Sequence, residues 1–322
     1  NPAAMSELGG APMPSTPRPA ATVLLLRDSR GQLEVLMMQR AGSVAFLGGM
    51  WVFPGGRVDP ADSSRRALAR IAQPVAAECF ARVGCGALPV ESREEAVGLY
   101  VAACRETFEE SGALLVKRAG AGGHDAAAAE SLQARREEIT RDPGRFISML
   151  EERDLLIDAE SFVYWSRWIT PSLEKKRFDT HFFATAIDSE QQISADLSEL
   201  TRYRWTTPVE ALAAAERGEM NMVPPTLLTL EDLHESWLRH GGLSQMLNAE
   251  RERSAPPVMP RIAVDSEAFR VVMPWDAGYP AIEGEGLPLE PDSIPAHLAN
   301  RRSSVTISRS LQTQASKKPR AG

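Results

Sequence analysis

The segment Arg105-Glu106-Thr107-Phe108-Glu109-Glu110-Ser111-Gly112 gathers three carboxylates and a guanidinium into a stretch that reads as two turns of helix. Residues three and four apart share a helix face, so Glu106, Glu109 and Glu110 project to one side with Arg105 on the flank. Carboxylates crowded in this way raise one another's pKa unless a cation favours their ionised forms. Magnesium suits the donors, because it is a hard cation that takes oxygen ligands and keeps positions for water and substrate phosphate. Upstream lies the turn Phe53-Pro54-Gly55-Gly56, where residues without Cβ let the backbone approach a phosphate or a metal. Together these point to metal-assisted phosphate chemistry. The alternative, a solvated acidic helix face, does not require a glycine stop followed by the apolar stretch Ala113 to Val116, which reads as helix, cap and strand.

These residues resemble the box of the Nudix hydrolase superfamily: Gly, five residues, Glu, seven residues, then Arg-Glu-apolar-x-Glu-Glu-x-Gly-apolar. The second half matches, with Thr107 at the first apolar position and Ala113 at the last. The first half departs. Many more residues separate Gly56 from Arg105 than the box allows, and Val97 stands where the box Glu is expected, eight residues before Arg105. Glu94 and Glu95 are poor replacements, being about 16 Å or more from Glu106 along a helix axis. A box split by an insertion resembles the branch that contains the peroxisomal acyl-coenzyme A diphosphatase. So do Trp168-Ile169-Thr170-Pro171, the run Arg177-Phe178-Asp179-Thr180-His181-Phe182-Phe183, and the strand Glu34 to Arg40. The likeness covers roughly residues 20 to 215.

The resemblance implies an α+β fold, an α/β/α sandwich with a mixed central sheet, and hydrolysis of a diphosphate linkage with Mg2+ or Mn2+. It implies metal ligation by Glu106, Glu109, Glu110 and the Gly56 carbonyl, with Arg105 orienting a glutamate. Many Nudix chains use an acidic residue outside the box as base, and Glu199 is the candidate by position, with Asp196 second. Arg40, Lys176 and Arg177 are candidates for anchoring substrate; the loop Lys175-Lys176-Arg177 reads equally well as a solvated turn. The implied substrate is coenzyme A or an acyl ester. ADP-ribose, NADH or a nucleotide sugar is the alternative, since the box reads the diphosphate and not its substituents, and a non-catalytic binding module is a further one. Many relatives are dimers, so a homodimer is compatible with the resemblance.

Composition bounds the rest. With 322 residues, 43% of them hydrophobic, the chain can build a substantial core. A formal net charge of -7 argues against a general nucleic-acid binder, whose affinity comes from clustered Lys and Arg. No run approaches the roughly 18 apolar residues of a membrane span. Cys79, Cys85 and Cys104 form no Cys-x-x-Cys pair, which suggests neither a disulfide framework nor a zinc site. Among five scattered histidines only His181 lies near the proposed site. The ending Arg320-Ala321-Gly322 is not a Ser-Lys-Leu address, and a cytoplasmic location is expected.

Along the chain, residues 1–19 read as a disordered leader, 20–290 as the Nudix domain and 291–322 as a disordered tail. Within the domain the pattern predicts a hairpin over 20–26 and 34–39. An insertion over 59–93 is expected to have two helical stretches and to sit over the site mouth. The box helix is predicted from Ser92 or Glu94 to Ser111, extra helices over 124–154, and strands over 162–169 and 178–187. A Pro-started helix after Thr207, two helices flanking Gly241-Gly242 and short strands over 258–290 complete it, with 219–290 forming a C-terminal extension.

Overall fold

The computed structural model describes residues 15–42, 47–83, 90, 92–118, 130–187, 191, 193–194, 200–264, 268–289, 294–299 and 304–308. Its centre is an eight-stranded mixed sheet. Strand β1 (Arg18–Ser29) turns through Arg30 and Gly31, both at positive φ, into β2 (Gln32–Arg40). The Asp28 carboxylate accepts the Gly31 N–H at 2.9 Å, as turn chemistry of this type requires. Short strands β3 (Trp51–Val52) and β4 (Gly55–Arg57) then pair antiparallel with β2 and β1. Later come β5 (Val116–Arg118) and β6 (Leu155–Ile157), which form a separate two-stranded pair. Strands β7 (Val163–Ile169), β8 (Phe178–Ala186), β9 (Leu200–Thr206) and β10 (Pro257–Val258) complete the main sheet. Its order is β10-β7-β8-β1-β2-β3, with β4 on β1 and β9 on β2, and β1 runs parallel to β8.

Strand β1 reads as a continuous apolar run because both sheet faces are covered. Ala21, Val23 and Leu25 face one core, while Leu24 and Leu26 face the other. Helix α1 (Arg65–Leu68), helix α2 (Gln73–Val83) and helix α3 (Arg93–Ser111) lie on the first face. Helices Pro208–Glu216, Pro224–His240 and Leu243–Ala249 lie on the second, giving the three-layer α/β/α sandwich.

The predicted box helix is α3. Ser92 caps it by accepting the Glu95 N–H, and Gly112 ends it in the left-handed conformation at φ 74°. It is buried on most sides, since α2 packs along its N-terminal half and Tyr100 wedges among Phe162, Tyr164 and Phe183.

Two boundaries differ from expectation. The chain is ordered into β1 from Arg18, and Ser15 already donates to the Lys175 carbonyl, so the expected leader 1–19 is cut short; residues 1–14 lie outside the described part. The expected tail 291–322 also carries a strand, Ser304–Ser308, which joins Arg261–Val264 and Ala268–Val272 as a small antiparallel sheet. Ser304-Val305-Thr306-Ile307-Ser308 alternates polar and apolar residues, a strand pattern in the sequence inside a segment whose overall composition is polar.

Candidate active site

The carboxylates of α3 meet the glycine turn at β4. Gly55 donates its N–H to Glu110 Oε2 at 2.9 Å. A Cβ on Gly56 would lie 2.4 Å from the Glu106 carboxylate carbon, so only glycine allows this approach without moving that side chain. At Gly55 the obstruction is backbone: φ is +154° and a Cβ would lie 2.4 Å from the Ala21 carbonyl oxygen.

Arg105, only 2% exposed, organises the cluster. One Nη1 donates to Glu106 Oε1 at 2.9 Å and to Glu109 Oε1 at 2.6 Å. Its other side makes a two-bonded pair with Asp62, Nε to Oδ1 at 2.9 Å and Nη2 to Oδ2 at 2.8 Å, while Nη2 also donates to the Arg57 carbonyl at 3.0 Å. Burial opposes the guanidinium charge, yet the Asp62 bond and the charges of Glu106, Asp62 and Glu109 overcome it and hold Arg105 above its ordinary pKa. Burial pushes the Asp62 carboxyl up, against the pull of Arg105.

Asp62 was invisible to a box counted backward from Arg105, which lands on Val97. Counting forward from Gly56 finds it: five residues separate Gly56 from Asp62, the interval the box assigns to its first acid. Asp62 is fully buried in a short helical turn, Pro60–Ser63, capped by Asp59. The turn packs against α3 at Gly98, where a Cβ would lie 2.1 Å from Ser63 Oγ. Gly98 and Arg105 are two helical turns apart on one face, so the glycine contact brings Asp62 within reach of the arginine. Val97 is buried in the core instead. The insertion therefore loops out between two residues that touch.

The C-terminal end of α3 is held from outside the box. Arg136 donates to the Glu109 and Ser194 carbonyls, and Gln133 donates to the Gly112 carbonyl at 2.8 Å. A cation there satisfies carbonyls that the helix leaves open and complements its dipole.

Glu106, Glu109 and Glu110 are hard oxygen donors from a single turn and match the needs of a divalent cation. The Glu106 carboxyl is pushed up to about 7 by burial, with Glu109 adding to the effect and Arg105 opposing it. One guanidinium thus leaves the cluster short of positive charge, which a divalent ion would supply. Among the described residues no cage of three metal-ligating side chains is preassembled, because Glu106 and Glu109 turn Oε1 to Arg105 and Glu110 turns Oε2 to Gly55.

A comparison with family models decides what this geometry belongs to. The model described as the NUDT19 Nudix domain matches residues 7–233. The chain belongs to the NUDT19 Nudix family. An acyl-coenzyme A diphosphatase NUDT19 from Xenopus laevis is 29% identical over 238 residues, covering 64% of this chain and 61% of that protein. The protein of the same name from Homo sapiens is 28% identical over 235 residues, covering 62% of this chain and 63% of that protein. The match spans about three fifths of the length of these two relatives. Among solved structures, a NUDIX hydrolase from Alicyclobacillus acidocaldarius is 26% identical with a TM-score of 0.54, covering 73% of this chain and 96% of that one.

The other site candidates of this NUDT19-type chain fall in different places. Arg40 Nη1 stands 3.9 Å from Glu110 Oε1, at the edge of the cluster. Lys176 is exposed in the turn before β8. Arg177 is 3% exposed and turned into the protein, bonded to the Thr170 and Ser15 carbonyls and to Glu285 at 2.7 Å. Glu199 and Asp196 lie outside the described residues. His181 is buried beside Tyr164, whose hydroxyl is 2.9 Å from Nδ1, and burial drives its pKa down to about 3. It shares a cross-strand row with Ala21 and Gly56 on the α3 side of the sheet. No helix among the described residues is long and apolar enough to cross a membrane.

Proposed function

We propose that this chain hydrolyses the diphosphate linkage of coenzyme A or an acyl-coenzyme A, yielding 3′-phosphoadenosine 5′-phosphate and the (acyl-)4′-phosphopantetheine. The observation that carries the reading is the Arg105-centred set of box acids, Asp62, Glu106, Glu109 and Glu110, closed against the Gly55-Gly56 turn. The names of the relatives support the substrate.

In the proposed reaction the oxygen of water forms a bond to one phosphorus as the bond from that phosphorus to the bridging oxygen breaks. The bridging oxygen leaves with the electron pair on the other phosphate. Glu106, Glu109, Glu110 and the Gly56 carbonyl would hold Mg2+ or Mn2+, which supplies charge neutralisation for the phosphate oxygens and acidifies water. Arg105, fixed by Asp62, keeps Glu106 and Glu109 oriented through charge-assisted hydrogen bonds. Gly55 does the same for Glu110 through its N–H. Arg40 would meet the phosphates at the cluster's edge, and Glu199 would take the proton from water.

The test is identification of products by mass from coenzyme A, acetyl-coenzyme A, ADP-ribose, NADH and UDP-glucose with magnesium or manganese, using Glu110→Gln as the blank. Release of 3′-phosphoadenosine 5′-phosphate from the coenzyme A members alone is expected. Cleavage of the other compounds in preference would overturn the substrate, and turnover by the blank would overturn the site.

A further inference from the structure

The last turn of α3 carries Glu109 and Glu110, and it is the part of the helix that its own hydrogen bonds hold least. An α-helix leaves its final four carbonyls without internal partners, here those of Glu109, Glu110, Ser111 and Gly112. Two segments distant in sequence capture three of them. Arg136 Nη2 donates to the Glu109 carbonyl, Gln133 Nε2 to the Gly112 carbonyl at 2.8 Å, and the Ser194 N–H to the Ser111 carbonyl at 2.9 Å. Just past the helix, the Gln191 side chain pairs with Leu114 as a neighbouring strand would. Its Oε1 accepts the Leu114 N–H at 3.2 Å and its Nε2 donates to the Leu114 carbonyl at 3.1 Å.

Arg136 joins the two segments. Its Nη1 donates to the carbonyl and the hydroxyl of Ser194, at 2.8 and 2.7 Å, while Nη2 holds Glu109. A guanidinium can span them because its donors lie in one rigid plane and diverge. The packing is close, since a Cβ on Gly112 would lie 2.5 Å from Gln133 Nε2 and 2.9 Å from Ser194 Oγ. Arg136 opens the helix Arg136–Arg141, the end at which peptide dipoles disfavour a cation. Its own helix does not favour a guanidinium there; the C-terminal end of α3, of opposite polarity, does.

We infer that Arg136 is a positioning residue for the metal-binding acids, an inference that rests on the function proposed above. Arg105 and Gly55 hold the carboxylates of Glu109 and Glu110, and Arg136 holds the backbone that carries them. Metal ligands must stay within about 0.5 Å of their productive places. An unsupported helix end frays over about two residues, enough to reach Glu110 and Glu109 from Ser111. Glu106 lies a turn further in and keeps its place. The segment Gln133 to Arg136 supplies no acid to the cluster, yet it sets the cluster's affinity for the ion.

The experiment is titration of the full chain with Mn2+ alone, read by electron paramagnetic resonance of the free ion, on the wild type, Arg136→Gln, Arg136→Lys and Arg135→Gln, below the melting temperature of each. Arg135 is the control: it pairs with Glu138 and Glu152, at 3.1 and 2.7 Å, on its own side of the protein. The Kd for Mn2+ is expected to rise roughly 10-fold or more in Arg136→Gln, the scale of losing a group that orients metal ligands. It is expected to rise less in Arg136→Lys, which keeps the charge but not the fork, and to stay at the wild-type value in Arg135→Gln. Wild-type affinity in folded Arg136→Gln would overturn the inference, as would equal weakening in Arg135→Gln. If the Gln variant does not fold, the Lys variant decides, and wild-type affinity there overturns the role of the fork. With acetyl-coenzyme A, raising Mn2+ is expected to bring kcat of Arg136→Gln back toward the wild type at an unchanged KM, because the acids are displaced and not removed. A raised KM at unchanged Mn2+ affinity would place Arg136 on the substrate and overturn its positioning role. A wild type that shows these affinities but does not cleave coenzyme A would refute the proposed substrate and leave the positioning role standing; one that binds no Mn2+ would overturn both.

Discussion

Asp62 and Arg105 meet face to face in the interior, two oxygens against two nitrogens at 2.8 and 2.9 Å, with the acid wholly removed from solvent. Removing one partner of such a pair strands a buried charge, at a cost of about 3–5 kcal/mol. Asp62→Ala is therefore expected to lower the free energy of unfolding by that amount and to reduce turnover as Arg105 loses its fixed position. Chemical denaturation together with kcat reads both, and a variant with wild-type stability would refute the role.

Gly55→Ala and Gly56→Ala separate folding from chemistry. At Gly55 a new methyl meets backbone in a conformation closed to alanine, so the variant is expected to lose stability first. At Gly56 it meets only the end of the Glu106 side chain, which can swing away. That variant is expected to melt near the wild type while losing about 100-fold or more in kcat, the scale of one misplaced electrostatic group. Parallel thermal melts and activity assays distinguish them.

Glu110→Gln is expected to abolish hydrolysis with the fold retained. Its amide can neither carry the charge a divalent ion requires nor accept the Gly55 N–H with an anionic oxygen. Normal turnover by a folded variant would remove Glu110 from the metal assignment.

Arg177→Gln tests whether the basic loop serves substrate or structure. The guanidinium ties the segment before β1, through the Ser15 carbonyl, to Glu285, more than a hundred residues away along the chain. Lower stability with an unchanged KM is expected; a raised KM at unchanged melting temperature would return Arg177 to the substrate.

Acid and base act on the fold in opposite senses at two buried groups. The Glu106 carboxyl is raised from 4.5 to about 7, so its contribution is full below pH 4.5 and is lost as pH rises through about 7. The His181 imidazole is lowered from 6.5 to about 3, so its contribution is present above pH 6.5 and is lost as pH falls through about 3. Glu106→Gln is expected to flatten the decline in stability between pH 4.5 and 7. Magnesium is expected to offset the same decline in the wild type by favouring the ionised carboxylate. Melting temperature against pH, with and without the ion, tests both.

The parts of this architecture written in contiguous sequence were readable. Ser92 and Gly112 bracket α3 by their own chemistry, and Asp28 and Gly31 mark the first hairpin. The second half of the box is local to one helix and needed no fold to be recognised. Asp62 escapes a box counted backward from Arg105, because the insertion separates along the chain two residues that meet through space past Gly98; only the count forward from Gly56 reaches it. Arg177 resembled a ligand-facing cation because its neighbours Lys175 and Lys176 are exposed. Its partners Ser15 and Glu285 lie far from it in sequence, and no local pattern could have signalled their approach. The strand Ser304–Ser308 was hidden in the same way, its alternation acquiring meaning only beside β-partners over Ala268–Val272.

Because the two halves of the acid cluster are joined by contact at Gly98 and Arg105, the covalent route between them is a free variable. Helices α1 and α2 lie on that route and carry none of the acids, so their sequence can change so long as their apolar faces still cover α3 and the return point leaves Asp62 against Arg105. The division of the motif is thus a splice site in the structural sense, a place where new sequence can be admitted between Asp62 and Arg105 without parting them.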